Sequence, residues 1–216
     1  MVPAKFKKAY DVPKVTGVGK VVFSLDGGGR EILIDVLREK SVKTMIEIGS
    51  FLGGSAMQWL NACPDLQVIG VDPWEGNWAS HLSRYKDNPI FESCWKDVDD
   101  RDAAIEALQK HGPYNVSMAN MQDYKGRFFA YKGKSPEALK DLHSLGVEPE
   151  LIYFDSDKIL GDLQVALEVY PDAILSGDDW RWGADQGYPV QTAVKAFCKA
   201  HGFDVEDRRA TWVIHK

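Results

Sequence analysis

Residues 45–56 read Met45-Ile46-Glu47-Ile48-Gly49-Ser50-Phe51-Leu52-Gly53-Gly54-Ser55-Ala56. An apolar run enters Gly-x-x-x-Gly-Gly, and a helical pattern follows at once. A buried strand that ends in glycines and opens a helix offers a ligand bare backbone and free helix N–H groups. The spacing differs from the Gly-x-Gly-x-x-Gly of a pyrophosphate site. Glu47, two residues before the first glycine, is unusual inside an apolar strand, and a carboxylate there can meet a cationic ligand. A strand–turn–helix corner with no ligand is the plainer alternative.

From residue 44 onward, strand and helix patterns alternate. The strand candidates are 44–49, 66–72, 127–132, 150–155 and 173–178, each short, apolar and bounded by turn residues, as parallel strands buried on both faces should be. Two further strand-like segments, 203–208 and 211–215, close the chain around a tight polar turn. Ser135-Pro136-Glu137 reads as a helix start: a capping hydroxyl, proline at the first helical position and an acid in the first turn. Leu139, Leu142 and Leu145 follow on one face. Ile159, Leu160, Leu163, Ala166 and Leu167 mark the next helix, and Val190, Ala193, Val194 and Phe197 the last, ending at Gly202.

This succession predicts a single α/β domain over 1–216, a Rossmann-like, doubly wound, mostly parallel sheet with a C-terminal antiparallel hairpin. Ligands in such sheets sit beyond the carboxyl ends of the strands. The residues just past those ends are Gly49, Asp72, Gly133, Asp155 and Asp178. Residues 1–40 carry no strong pattern and read as an N-terminal extension. Between Asp72 and Arg127 lie 54 residues, where an ordinary crossover needs roughly two dozen. That stretch, taken as 74–126, holds Trp74, Trp78, His81, Arg84, Tyr85 and Trp95 and a helical pattern over 99–110. It reads either as a lid over an organic substrate or as an extra helix packed on the flank.

With 44% hydrophobic and 27% charged residues, the composition is that of an ordinary globular domain. A net charge of −6 and the lack of a basic run speak against nucleic acid as a partner. The apolar runs are strand-sized, so no membrane association is expected, and Lys5, Lys7 and Lys8 lead into no signal-peptide core. Cys63, Cys94 and Cys198 are odd in number and widely spaced, as in reduced thiols of a cytoplasmic protein. Homo-oligomerisation stays open.

Asp155 ends one strand, and Asp178-Asp179 end the next. If those strands are neighbours, the three carboxylates converge. Two carboxylates about 4 Å apart repel by roughly 4 kcal/mol at an effective dielectric of about 20, so three pairs reach the order of 12 kcal/mol. Such a sum is comparable to a whole domain's stability. Protonation or a bound cation must relieve it, unless some of the aspartates cap helices or face solvent. An all-oxygen set suits Mg²⁺, Mn²⁺ or Ca²⁺ better than zinc.

Glu47 through Ser55, then Val71-Asp72-Pro73-Trp74, Phe154-Asp155-Ser156-Asp157 and Gly177-Asp178-Asp179-Trp180, resemble the class I S-adenosylmethionine-dependent O-methyltransferases. The likeness is to the small metal-dependent branch of macrocin O-methyltransferase relatives and, more distantly, to catechol O-methyltransferase. It runs in order over about residues 44–200 and takes in Asn120-Met121 and Gly133-Lys134-Ser135. It implies that Glu47, Gly49, Phe51 and Ser55, with Ser50 and Gly53 of the same corner, surround the methionine part of S-adenosylmethionine. It further implies that Asp72 takes the ribose hydroxyls, that Trp74 and Ser135 flank the adenine, and that Asp155, Asp178 and Asp179 hold the metal. Where macrocin-type enzymes carry a histidine thought to be the base, this chain has Lys158, as catechol O-methyltransferase does. The implied acceptor is a small-molecule hydroxyl on a sugar, glycoside or diol. The loop 180–188, with Trp180 and Trp182, is expected to shape its pocket.

Three rivals share part of this pattern. A NAD-dependent dehydrogenase would share the acid after the second strand but not the glycine spacing. A metal-dependent hydrolase would have no use for the Glu47–Ser55 corner. A catalytically inactive S-adenosylmethionine-binding protein would have no reason to retain the repulsive aspartates.

Overall fold

The computed structural model describes residues 1–155 and 159–216. The strands are β1 (Thr44–Ile48), β2 (Gln67–Asp72), β3 (Phe128–Lys132), β4 (Leu151–Phe154), β5 (Ile174–Gly177), β6 (Asp204–Arg208) and β7 (Thr211–His215). They form one sheet in the order β3-β2-β1-β4-β5-β7-β6. The first five are parallel, whereas β7 runs antiparallel to both β5 and β6. Each lies within one residue of its expected ends. The order reverses between β1 and β4, which makes the switch point where open α/β sheets bind ligands.

The helices are α1 (Ala4–Tyr10), α2 (Glu31–Glu39), α3 (Gly54–Ala62), α4 (Trp78–Tyr85), α5 (Arg101–Asn120), α6 (Glu137–Ser144), α7 (Ile159–Val169) and α8 (Pro189–His201). Alternation along each strand assigns residues to two faces. Ile46, Ile48, Ile69, Val71, Ile152 and Phe154 meet α1, α6, α7 and α8 in one core. Met45, Val68, Leu151 and Tyr153 point the other way, against Leu33 and Leu37 of α2 and Trp59 and Leu60 of α3. Full burial of one such aliphatic side chain contributes about 1.5–3 kcal/mol. Glu47 has the parity of Met45 and so faces α3, where the apolar pattern is broken by serines.

Some local expectations are corrected. Pro136 is the residue flanking α6, which begins at Glu137, and no side-chain hydrogen bond caps it, so Ser135 is not its N-cap. Leu145 and Leu160 are exposed and belong to no core. The helix expected over 99–110 continues to Asn120 as two pieces broken at Gly112, whose φ of 75° and ψ of 161° precede Pro113. Its start is capped by Asp100, which accepts the Ala103 N–H at 3.0 Å. At Gly202, as expected, α8 closes in a left-handed residue whose N–H reaches the Cys198 carbonyl.

The segment between β2 and β3 packs as extra helices beside the sheet. Ala79, Leu82, Trp95, Ile105 and Leu108 form a minor core with Val21 and Phe23 from the N-terminal region. The same segment turns Trp78, Tyr85, Ile90 and Phe91 toward the carboxyl ends of the strands. Among the described residues, no helix is long and apolar enough to cross a membrane.

Candidate active site

One cavity of about 940 Å³ opens over the carboxyl ends of β1, β2, β4 and β5. Gly49, Asp72, Gly133, Asp155 and Asp178, the residues expected just past the strands, all line it. The corner after β1 is held by close packing. Gly49 has a φ of +86°, and a Cβ there would lie 1.9 Å from the Asp155 carbonyl oxygen. Only glycine fits that approach. Ser50 and Phe51 follow along the cavity wall, and α3 begins at Gly54 behind a left-handed Gly53.

Glu47 lies beneath this corner with 0% exposure and accepts hydrogen bonds from the Ser50 and Ser55 hydroxyls. Burial pushes its carboxyl up to about 7, against the lowering effect of the two serines and of the Arg30 charge. Asp72, also buried, accepts the Phe51 N–H at 2.9 Å on one oxygen and the Trp74 N–H at 2.6 Å on the other. Burial raises its pKa, and those two amides partly offset the shift. Each Asp72 oxygen keeps a second lone pair for a ligand hydroxyl.

At the far end of the cavity β4 and β5 run side by side, Phe154 opposite Gly177, which makes Asp155 and Asp178 neighbours. Burial raises Asp155 well above the carboxylate range, and the Asp178 and Asp179 charges add to the rise. Asp179 is raised by burial and then by Asp178. A cation is already present at this point. Arg30, 4% exposed, donates Nη2–H and Nε–H to Asp178 Oδ2 at 3.0 and 3.3 Å. The Tyr153 hydroxyl donates to the same oxygen at 2.9 Å, and the Asp179 N–H takes Oδ1 at 3.0 Å. Although burial works against the Arg30 charge, Tyr153, Asp178, Asp26 and Asp155 together hold its pKa above the ordinary arginine value.

Local sequence explains how Arg30 arrives there. Gly27-Gly28-Gly29 lies against the turn between β6 and β7, where a Cβ on Gly29 would sit 1.7 Å from the Arg208 carbonyl oxygen. The Gly28 carbonyl accepts the Ala210 N–H at 3.0 Å. Arg30 then flanks α2 and is pinned further by Ser24 Oγ at 3.1 Å and the Leu25 carbonyl at 2.9 Å.

Of the expected site residues, Gly49, Ser50, Phe51, Ser55, Asp72, Ser135, Asp155, Asp178 and Asp179 line this one cavity. Glu47 and Gly53 support the corner from behind. Trp74, expected against the adenine, is placed otherwise. It is buried in the α2–α3 core, edge-on to Tyr114, and its Nε1–H bonds the Phe51 carbonyl at 2.7 Å. The aromatic wall comes instead from Trp78, which packs 4.3 Å from the Phe51 ring. Lys158 and Asp157 lie outside the described residues.

The described donor set fits the expected divalent-ion site poorly. Asp178 Oδ2 already accepts from Arg30 and Tyr153, Oδ1 accepts one amide and keeps a second lone pair, and among the described residues no group of three or more His, Cys, Asp or Glu side chains is arranged to hold a metal. Sequence reasoning missed Arg30 along with Phe23, Leu25 and Asp26, which also line the cavity. The available signal was a triple glycine followed by arginine inside an otherwise patternless stretch.

No protein-family model matches the chain, and no curated protein matches it in sequence. Solved structures do. A protein assigned as a caffeoyl-CoA O-methyltransferase from Staphylococcus aureus superposes with a TM-score of 0.57 at 15% identity, covering 90% of this chain and 86% of that one. The Bacillus cereus O-methyltransferase in complex with SAH gives 0.55 at 14% identity, over 91% and 84% of the two chains. TomG from Streptomyces achromogenes, an O-methyltransferase involved in tomaymycin synthesis and solved with SAM, gives 0.53 at 15% identity, over 89% and 81%. The strand order and these superpositions define the class I methyltransferase fold.

Proposed function

We propose that this chain is an S-adenosylmethionine-dependent O-methyltransferase acting on a small-molecule hydroxyl. The observation that carries the reading is the glycine corner. Gly49, Ser50, Phe51, Leu52, Gly54 and Ser55 line the cavity, with the buried Glu47 carboxyl behind them and Asp72 fixed beside them by two amides. The cofactor's ammonium and sulfonium suit the acidic floor. Its ribose hydroxyls suit the free lone pairs of Asp72.

Methyl transfer needs little from the protein beyond placement, since the sulfonium already activates the methyl carbon. When bound, S-adenosylmethionine would supply its methyl group to the acceptor oxygen, the C–S bonding pair staying with sulfur as a neutral thioether and the hydroxyl proton going to a base. Holding the two reactants in line is the main task. Lys158 stands as the proposed base on its sequence resemblance alone.

The outer wall supports an acceptor that presents an apolar face. Trp78, Tyr85, Ile90, Phe91 and Trp182 line the cavity, and Trp182 and Ile90 are 55% and 82% exposed at its rim. A sugar ring, a glycoside or an aromatic diol each offers such a face beside its hydroxyls. Calorimetry with S-adenosylhomocysteine tests the reading, with NADH as control and D72N as the second protein. Stoichiometric uptake by the native chain, weakened in D72N and absent for NADH, is expected. Uptake of NADH alone would move the chain to the dehydrogenases.

A further inference from the structure

We propose that Arg30 is the resident cation of the strand-end carboxylates and occupies the place a divalent ion would need, so that the site works without one. Its bearing on methyl transfer rests on the function proposed above. The placement of the guanidinium stands on its own geometry.

Three carboxyl groups at neighbouring strand ends are relieved by protonation or by positive charge, and the chain supplies a positive charge from 148 residues away in sequence. Arg30 makes a forked contact to one oxygen of Asp178, with Tyr153 as a third donor to that oxygen. A divalent ion on Asp178 Oδ2 would have to displace those donors, and one on Oδ1 would share a single carboxylate with a fixed guanidinium. Displacement would strand a buried guanidinium that cannot shed its charge. Nor is Arg30 free to swing away. Ser24 holds Nη1, the Leu25 carbonyl accepts a second bond from Nη2, and Asp26 lies 3.8 Å from Nε. The glycine run behind it is clamped on the β6–β7 turn, where Gly29 leaves no room for a Cβ. Arg30 also lines the cavity, so its charge reaches the space where an acceptor oxygen would lie. Unlike a metal, this cation cannot be chelated away and stays charged at any physiological pH.

The test titrates the native chain with Mn²⁺, read by calorimetry and by the electron-spin signal of free Mn²⁺, with S-adenosylhomocysteine titrated in parallel. No Mn²⁺ uptake at millimolar concentration is expected, together with S-adenosylhomocysteine affinity that EDTA leaves unchanged. R30M, which frees Asp178, should acquire Mn²⁺ uptake and a melting temperature that rises with Mn²⁺, neither of which the native chain shows. Uptake of one Mn²⁺ per native chain at sub-millimolar concentration, lost in D178N, overturns the proposal. If R30M does not fold, the native and D178N titrations still decide. A native chain that ignores both ligands sinks the methyl-transfer reading while leaving Arg30 as the resident cation. One that binds S-adenosylhomocysteine and Mn²⁺ does the reverse.

Discussion

Replacing Glu47 with glutamine reads out the electrostatics beneath the glycine corner. Glu47 is fully buried on the α3 face of β1, and that burial lifts its carboxyl from 4.5 to about 7 in the folded chain. Over this pH range the folded protein keeps a proton that the unfolded chain has released. Because the folded pKa is the higher one, the stability tied to this group is complete below about pH 4.5 and is lost as pH rises through about 7. The gap between the two values corresponds to roughly 3 kcal/mol. Glutamine keeps the shape, can still accept from one serine and donate to the other, and does not titrate. The unfolding free energy of E47Q minus that of the native chain should therefore climb by roughly 3 kcal/mol between about pH 4.5 and pH 8. Urea unfolding of both proteins at a series of pH values measures this, and most other titrating groups cancel in the difference. A difference that stays flat across the range would refute the burial argument, since Glu47 would then ionise as if in water.

Three further substitutions probe the same corner and its surroundings. G49A places a Cβ on the Asp155 carbonyl at a left-handed φ, so it should cost on the order of 4 kcal/mol or more by chemical denaturation, at the upper end for point mutants. W74F removes a core indole and its hydrogen bond to Phe51, and should lower stability by about 1–3 kcal/mol while S-adenosylhomocysteine affinity holds within about threefold; a large affinity loss at full stability would return Trp74 to the adenine site. W182A acts on a side chain at the cavity rim and should change stability by less than about 0.5 kcal/mol, with its effect confined to the KM of the acceptor.

How much of this was legible in the sequence follows from how far apart the determining residues lie. Strand positions depend on short apolar runs bounded by turns, a local signal, and all of them fall within one residue of expectation. The glycine corner is similarly local, because Gly49 reports its own φ and its own crowding. Trp74 misled because an aromatic residue just past a strand looks the same whether it faces a ligand or the core. Only the Phe51 carbonyl and the Tyr114 ring, both distant in sequence, decide. Ser135 misled at shorter range: a hydroxyl before Pro136 has the composition of a cap, yet it lines the cavity and makes no capping bond. Charge reasoning asked for protonation or a cation beside Asp155, Asp178 and Asp179 and looked to a divalent ion, because nothing periodic marks a lone arginine after three glycines. Its role is written in the Gly28–Ala210 hydrogen bond, a relation between opposite ends of the chain.

That hydrogen bond has a consequence for biosynthesis. Gly28 leaves the ribosome well before its partners Ala210 and Thr211, the latter 183 residues further along. Until they emerge, the nascent polypeptide can pair β1 with β2 while the stretch carrying Arg30 has nothing to settle on. The binding chamber is thus finished only once the β6–β7 turn has emerged, and a ribosome stalled a few codons short of Arg208 would present an incomplete sheet with an unneutralised acidic rim.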